Sequence, residues 1–218
     1  RVVFATWSES STGVLIDPKP IGSFLRSRDL ILVADAVSGL AVSPMWMDEW
    51  CIDVAVAGSQ KGLMLPPGLG IAAIGSRAWE QSRKATMPRF YWDWSKYKSA
   101  VPFTPATSLL LQAEAALRFI EQRGMNAIFE RRAAVAARIR ALVKDFAMDV
   151  YAMLPGNGIT GVRYPEGFDA IFNQRIDELT VFRLRIGDEI LDRFIWRFGL
   201  DREHERVGAR QCDRLDLL

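Results

Sequence analysis

Histidine is nearly missing from this 218-residue chain: His204 is the only one. A histidine-rich metal site is therefore excluded, and a Ser-His-Asp triad would hang on one residue in an arginine-rich tail. Acid–base work falls to Lys, Asp, Glu, Tyr or Cys. Cysteine is scarce as well. Cys51 and Cys212 are too few for a disulfide framework, so a reducing, cytoplasmic setting is expected. Neither sign of charge dominates: 28 basic and 26 acidic residues leave a formal charge of +2. That is not the basic excess of a nucleic-acid surface. Long apolar runs are absent too. "LILVADAVSGLAV" is short for a bilayer and carries Asp35 in its middle, so no membrane partner is expected. No signal peptide opens the chain. It begins on "RVVFAT" without methionine, as if in mid-strand, and so reads as a piece of a longer protein.

What remains is globular composition, 50% hydrophobic and 25% charged, enough for one large domain or two modest ones. "VVFAT" reads as a strand and "WSESSTG" as a polar loop. "DPKPIGSFLRSRD" is a helix with proline at its start and Ile21, Phe24 and Leu25 on one side. "LILVAD" has the continuous apolar character of a parallel strand buried on both faces. "DVAVAG" and "LGIAAIG" are further strands, and "SRAWEQSRK" is a short helix capped by Ser76. Buried strands alternating with crossovers indicate an α/β fold with a parallel sheet. An irregular aromatic stretch from Phe90 to Tyr97 follows, read as a loop packed on the core, or else as a substrate pocket or dimer contact. Two amphipathic helices come next, one through Leu109, Leu110, Ala113, Leu117 and Ile120, the other through Ile128, Val135, Ile139 and Leu142. "ITGVRYPEG" is strand then turn. No internal repeat is visible.

Asp35 ends one apolar strand and Lys61 follows another. Ligands bind at the carboxyl ends of parallel strands, so both residues are expected at one crevice. Singly, Asp35 suits a cap or a surface turn, and Lys61 a solvent-facing loop. Together they suggest a reactive amine beside a carboxylate. Desolvation would ease loss of the lysine's proton, and its amine can then condense with a carbonyl. Pyridoxal phosphate (PLP) needs such a lysine, and an acid at its ring nitrogen.

"ESSTGVL", "VADAVSGL", "MDEWCIDVAVAGSQKGLMLPPGLG" and "FTPATSLL", in this order and spacing, resemble class V aminotransferases. The resemblance is nearest to the alanine–glyoxylate and serine–pyruvate (serine–glyoxylate) group, and runs from about Val2 to about Phe172. It implies a fold type I PLP enzyme: part of the large cofactor domain over residues 1–123, and a smaller C-terminal α/β domain over 124–218. Lys61 would be the Schiff-base lysine, and Asp35 the partner of the pyridinium nitrogen. Val37 would pack under the ring, and Ser10 would hydrogen-bond near the ring hydroxyl. Gln60 would touch the cofactor, and Thr104 would reach the phosphate of the other subunit's cofactor in a homodimer. On local pattern alone, Val37 is a core valine, Ser10 a turn serine, Gln60 a loop residue and Thr104 part of a helix N-cap. Arg185 in "FRLRIGDEI" is the candidate for the substrate carboxylate, or else lies on a solvated helix face.

The implied activity is transamination between alanine or serine and glyoxylate or pyruvate, while these 218 residues alone are expected to show no appreciable turnover. Aminoethylphosphonate transamination and a non-catalytic remnant of the fold are the rival readings. Three departures from the family stand out. The phosphate-binding loop and ring-stacking aromatic would lie before Val2. The intersubunit tyrosine before the threonine is replaced by Val101, with Tyr97 nearby. The family pattern fades after "YPEGFDAIFNQR". Cys51 reads as a small buried residue and not a nucleophile, unlike the reactive cysteine of the related desulfurases.

Overall fold

The computed structural model describes residues 1–98, 101–146 and 148–163, with the backbone of two short strands beyond them. Residues 1–165 make one compact unit and residues 166–218 a second.

The first unit is built on a four-stranded sheet: β1 (Val2–Thr6), β2 (Ile31–Asp35), β3 (Val54–Gly58) and β4 (Gly70–Ile74). Strand order follows chain order. β1, β2 and β3 are parallel, with Thr6 opposite Asp35 and Asp35 opposite Val56. The central strand is the expected apolar run, and Leu32 within it has no exposed surface. β4 departs from expectation. It runs antiparallel to β3, because residues 59–69 contain no helix and turn the chain straight back. The sheet is thus mostly parallel with an antiparallel edge, and β4 is largely exposed.

One face of the sheet carries the core. Leu32, Ala34 and Ala55 meet Leu25 and Ile52, with Val3, Ala5 and Ile21 packed around them. Ile21 and Leu25 come from α1 (Pro18–Arg26), which starts as the sequence indicates: Pro18 is in the first turn and Asp17 accepts the Lys19 N–H at 2.9 Å. Phe24 does not join them. It is exposed, with the Arg28 guanidinium 3.6 Å above its ring. On the other face Phe4 is 78% exposed, in register with Val33 and Val54.

The amino ends of the strands are tied by one carboxylate. Asp53 is 2% exposed. It accepts the Leu32 N–H at 2.9 Å and Arg77 Nη1 at 3.0 Å, with Arg26 Nη2 at 3.5 Å. Arg77 belongs to α2 (Ser76–Arg83) and also reaches Asp29 at 2.9 Å. The α2 cap differs from the sequence reading. Gly75 occupies the N-cap with no side-chain bond, and Ser76 is already helical.

The aromatic stretch also differs. Phe90, Tyr91, Trp92 and Tyr97 are exposed, and a single 3-10 turn runs over Trp94–Tyr97. Phe90, Tyr91 and Tyr97 gather around Phe103, with Tyr91 at 4.6 Å, and Lys96 Nζ sits 3.2 Å from the Phe90 centroid; Trp94 meets Trp79 of α2 at 6.0 Å. α3 (Thr107–Arg123) and α4 (Met125–Asp145) follow. Of the α3 stripe only Ile120 is buried, while Leu110 and Leu117 are exposed. Among the described residues two short antiparallel pairs follow: β5 (Asp149–Val150) with β6 (Val162–Arg163), and β7 (Arg185–Ile186) with β8 (Glu189–Ile190). The turn expected after β6 lies outside the described residues, as do Phe172, Cys212 and His204.

Candidate active site

The carboxyl edge of the parallel strands is assembled from three exits. β1 leads into Trp7, whose N–H donates to the Asp35 carbonyl at 2.9 Å. β2 ends on Asp35. The next N–H, of Ala36, donates to the Val56 carbonyl of β3 at 2.8 Å. Asp35 Oδ1 accepts the Val37 N–H at 3.0 Å, so the carboxylate braces its own turn and the surface-turn reading holds locally. Its Oδ2 has no protein partner among the described residues, and the side chain is exposed at the edge. Val37 is half-buried beside it.

The turn after Asp35 touches the β1 exit closely. A Cβ at Gly39 would stand 2.5 Å from the Trp7 ring, so only glycine fits. One residue earlier, buried Ser38 donates its hydroxyl to Ser10 Oγ at 3.3 Å. Ser10 is exposed, in a loop held by its neighbour Glu9. The Glu9 carboxylate accepts both the N–H and the hydroxyl of Ser11 at 2.8 Å. The Ser11 N–H, then its hydroxyl, hold that carboxyl below the usual carboxylate range. Ser10, Val37 and Asp35 therefore occupy one neighbourhood, joined through Ser38, which the sequence reading did not single out.

Lys61 leaves the adjacent strand. It is exposed, so the desolvated crevice expected for it is not found among the described residues. Its loop, by contrast, is firmly made. Ser59 is fully buried; its N–H donates to the Leu69 carbonyl at 3.0 Å. Its hydroxyl donates to the Pro66 carbonyl at 2.7 Å and accepts the Leu69 N–H at 3.2 Å. The Lys61 carbonyl accepts the Met64 N–H at 2.9 Å. Gln60 folds its side chain towards the strand end: a Cβ on Gly58 would meet its Oε1 at 3.0 Å. Backbone order with a free amine is what a covalent anchor requires. Ser59 stands inside the quoted "GSQKG", but its role depends on the returning strand.

Thr104 stands exposed ahead of α3. It is not the cap, which falls at Ala106 without a side-chain bond. The link to the Lys61 loop is made further on, where a Cβ on Gly68 would lie 2.7 Å from Leu109 of α3. Arg185 lies in β7, a strand and not a helix, in the second unit; its side chain is outside the described residues. Cys51 is half-buried with a free thiol. Among the described residues no group of His, Cys, Asp and Glu is placed to hold a metal, and no helix is long and apolar enough to cross a membrane.

A profile of the family "Aminotransferase class-V" matches residues 1–153. The chain belongs to that family. Curated relatives of this class-V aminotransferase chain include the small subunit of a soluble hydrogenase from Synechococcus sp., 36% identical over 78% of this chain and 46% of the relative. The L-aspartate–glyoxylate aminotransferase of Paracoccus denitrificans is 35% identical over the same shares. A serine–glyoxylate aminotransferase of Hyphomicrobium methylovorum is 31% identical over 78% of this chain and 45% of its own length. Among solved structures, an alanine–glyoxylate aminotransferase from Nostoc sp. superposes with a TM-score of 0.73 at 24% identity, covering 80% of this chain and 49% of that one. It shares the fold. The chain spans about half the length of the curated relatives it matches.

Proposed function

We propose that the protein is a PLP-dependent aminotransferase that moves an amino group from alanine or serine to glyoxylate or pyruvate. The observation that carries this reading is the pair Asp35 and Lys61, delivered to one edge by neighbouring parallel strands. The donor set suits the cofactor: a free primary amine, a carboxylate with one oxygen uncommitted, and a linked pair of hydroxyls. When bound, PLP supplies an aldehyde for an amine and a ring that takes up the electrons left by a departing proton.

The residues then divide the work. Lys61 is the covalent anchor. With substrate amine in its place, the freed Lys61 amine would take the proton from the substrate α-carbon and return it two bonds away, at the carbon that was the cofactor's aldehyde. Asp35 keeps the ring nitrogen protonated, Val37 lies under the ring, and Ser10 donates near the ring hydroxyl. Gln60 is a further contact. Thr104 serves the phosphate of the neighbouring subunit in a homodimer, and Arg185 grips the substrate carboxylate. In this reading residues 1–123 belong to the large domain and 124–218 to the small one, in a cytoplasmic enzyme. Two relatives named for glyoxylate aminotransfer support glyoxylate as acceptor, and the first adds aspartate to the donors to be assayed.

The test is reduction with borohydride in the presence of PLP, followed by peptide mapping, with amino transfer assayed in parallel. The pyridoxyl group belongs on Lys61, and Lys61→Ala abolishes both. A label spread over other lysines, without turnover, supports a non-catalytic remnant instead.

A further inference from the structure

We infer that Arg132, on α4, is a positioning residue for the Lys61 loop, holding from outside the segment that carries the anchoring lysine; the inference rests on the function proposed above. Its Nη2 donates to the Gly62 carbonyl at 3.1 Å, across 70 positions of sequence. Gly62 directly follows Lys61 and is buried. It has no room to retreat: a Cβ there would stand 2.0 Å from the Leu40 carbonyl oxygen and 2.9 Å from Val42 Cγ2. Gly62 is thus wedged against the turn that follows Asp35, and its carbonyl is met from the α4 side by a guanidinium.

The neighbouring packing reinforces this contact. Leu63 is buried with Ala41 and Ile120, and Met125 and Ile128 of α4 close over them. Arg132 is itself half-buried, and desolvation lowers its pKa from the usual arginine value. A charged donor to a carbonyl in such a place is stronger than an exposed one. The bond orients the peptide between Gly62 and Leu63, while the Lys61 carbonyl is held by the Met64 N–H. Two successive carbonyls on the carboxyl side of the Lys61 Cα are then held, while its exposed side chain extends from an ordered backbone. The same contact joins the Lys61 loop, the turn after Asp35 and α4, so the lysine and the carboxylate keep a common frame.

Hydrogen exchange of the full 218-residue chain tests this directly. Arg132→Met should speed exchange over residues 60–65 on the order of tenfold, from loss of a charge-assisted bond. Arg132→Lys should restore much of the protection, because an ammonium can donate to the same carbonyl. Arg140→Met is the control. Arg140 also lies on α4 but bonds the Gly156 carbonyl at 3.1 Å, so its loss should leave residues 60–65 unchanged. Unaltered exchange in Arg132→Met, or equal loosening in Arg140→Met, overturns the inference. If Arg132→Met does not fold, Arg132→Gln, which keeps a polar head but loses the charge, decides against Arg140→Met: faster exchange over residues 60–65 in Arg132→Gln than in the control supports the hold, and no difference between them rejects it. Borohydride labelling with PLP separates the two readings. Arg132→Met should lower the Lys61 share of label relative to Lys96 and Lys98. No preference for Lys61 in the unaltered chain counts against the proposed function, while exchange still reports on Arg132.

Discussion

The Ser59 hydroxyl donates to the Pro66 carbonyl at 2.7 Å, closing the loop that carries Lys61. The same oxygen accepts the Leu69 N–H, so one buried side chain ties both limbs. Ser59→Ala should cost on the order of 1 kcal/mol, since it removes two part-buried hydrogen bonds. A lower urea midpoint with faster exchange over residues 59–69 is the expected result. An unchanged midpoint would show that water or backbone adjustment replaces the hydroxyl.

Asp35→Asn keeps shape but removes the charge. The amide can still brace Val37 through its oxygen, so the turn should survive. On the proposed function, what is lost is the means of keeping a ring nitrogen protonated. In the intact enzyme PLP binding should persist while turnover falls by several kcal/mol of barrier, about a thousandfold or more. Steady-state kinetics beside a cofactor titration provide the check, and near-normal turnover would make Asp35 purely structural.

Asp53 ties β2, α1 and α2 from a buried position. Removing one partner of such a set leaves uncompensated polar groups behind. Asp53→Ala should therefore destabilise the fold by about 3–5 kcal/mol. Arg77→Ala, whose side chain is partly exposed, should cost less. Chemical denaturation of both variants tests the order, and a milder effect at Asp53 contradicts it.

Glu9 titrates below the usual carboxylate range because Ser11 donates to its charged form. A depressed carboxyl contributes order above its unfolded pKa and loses it as pH falls through the lower, folded value. Ordering of the Ser10 loop should thus be intact near neutrality and fade only in acid. Ser11→Ala removes the hydroxyl donor and should move the Glu9 midpoint upward in a carboxyl NMR titration. An unmoved midpoint would leave the backbone N–H as the whole cause.

If Thr104 serves the neighbouring subunit, mixing Lys61→Ala and Thr104→Ala chains of the intact enzyme should recover part of the activity. Some mixed dimers then hold one site with both residues present. Confirmed heterodimers without recovery would place Thr104 outside the partner's site.

By itself, the sequence determined the four strands of the main sheet, their exits and the candidate pair, but not the short strands β5, β7 and β8. A strand such as "ILVAD" is recognisable because its burial pattern is local; Asp35 ends it, and Lys61 follows the next strand, "DVAVAG". The start of α1 was readable for the same reason, since Asp17 and Pro18 act within one turn. Other features needed the third dimension. The direction of β4 depends on how residues 59–69 fold back, with Met64 at φ 60° and Gly68 at φ 139°, and no strand pattern encodes direction. Phe90, Tyr91 and Tyr97 are aromatic but exposed, and gather around Phe103 in place of the core, while half-buried Trp94 meets Trp79 of α2. Lys61 is exposed, as the solvent-facing loop reading has it, and the desolvated crevice expected from the pair is not found among the described residues, since burial belongs to whatever packs nearby. Ser38 on Ser10 and Arg132 on Gly62 join residues 28 and 70 positions apart. Hydrogen bonds between such distant residues leave no periodicity in a chain, and only the folded geometry brings their partners together.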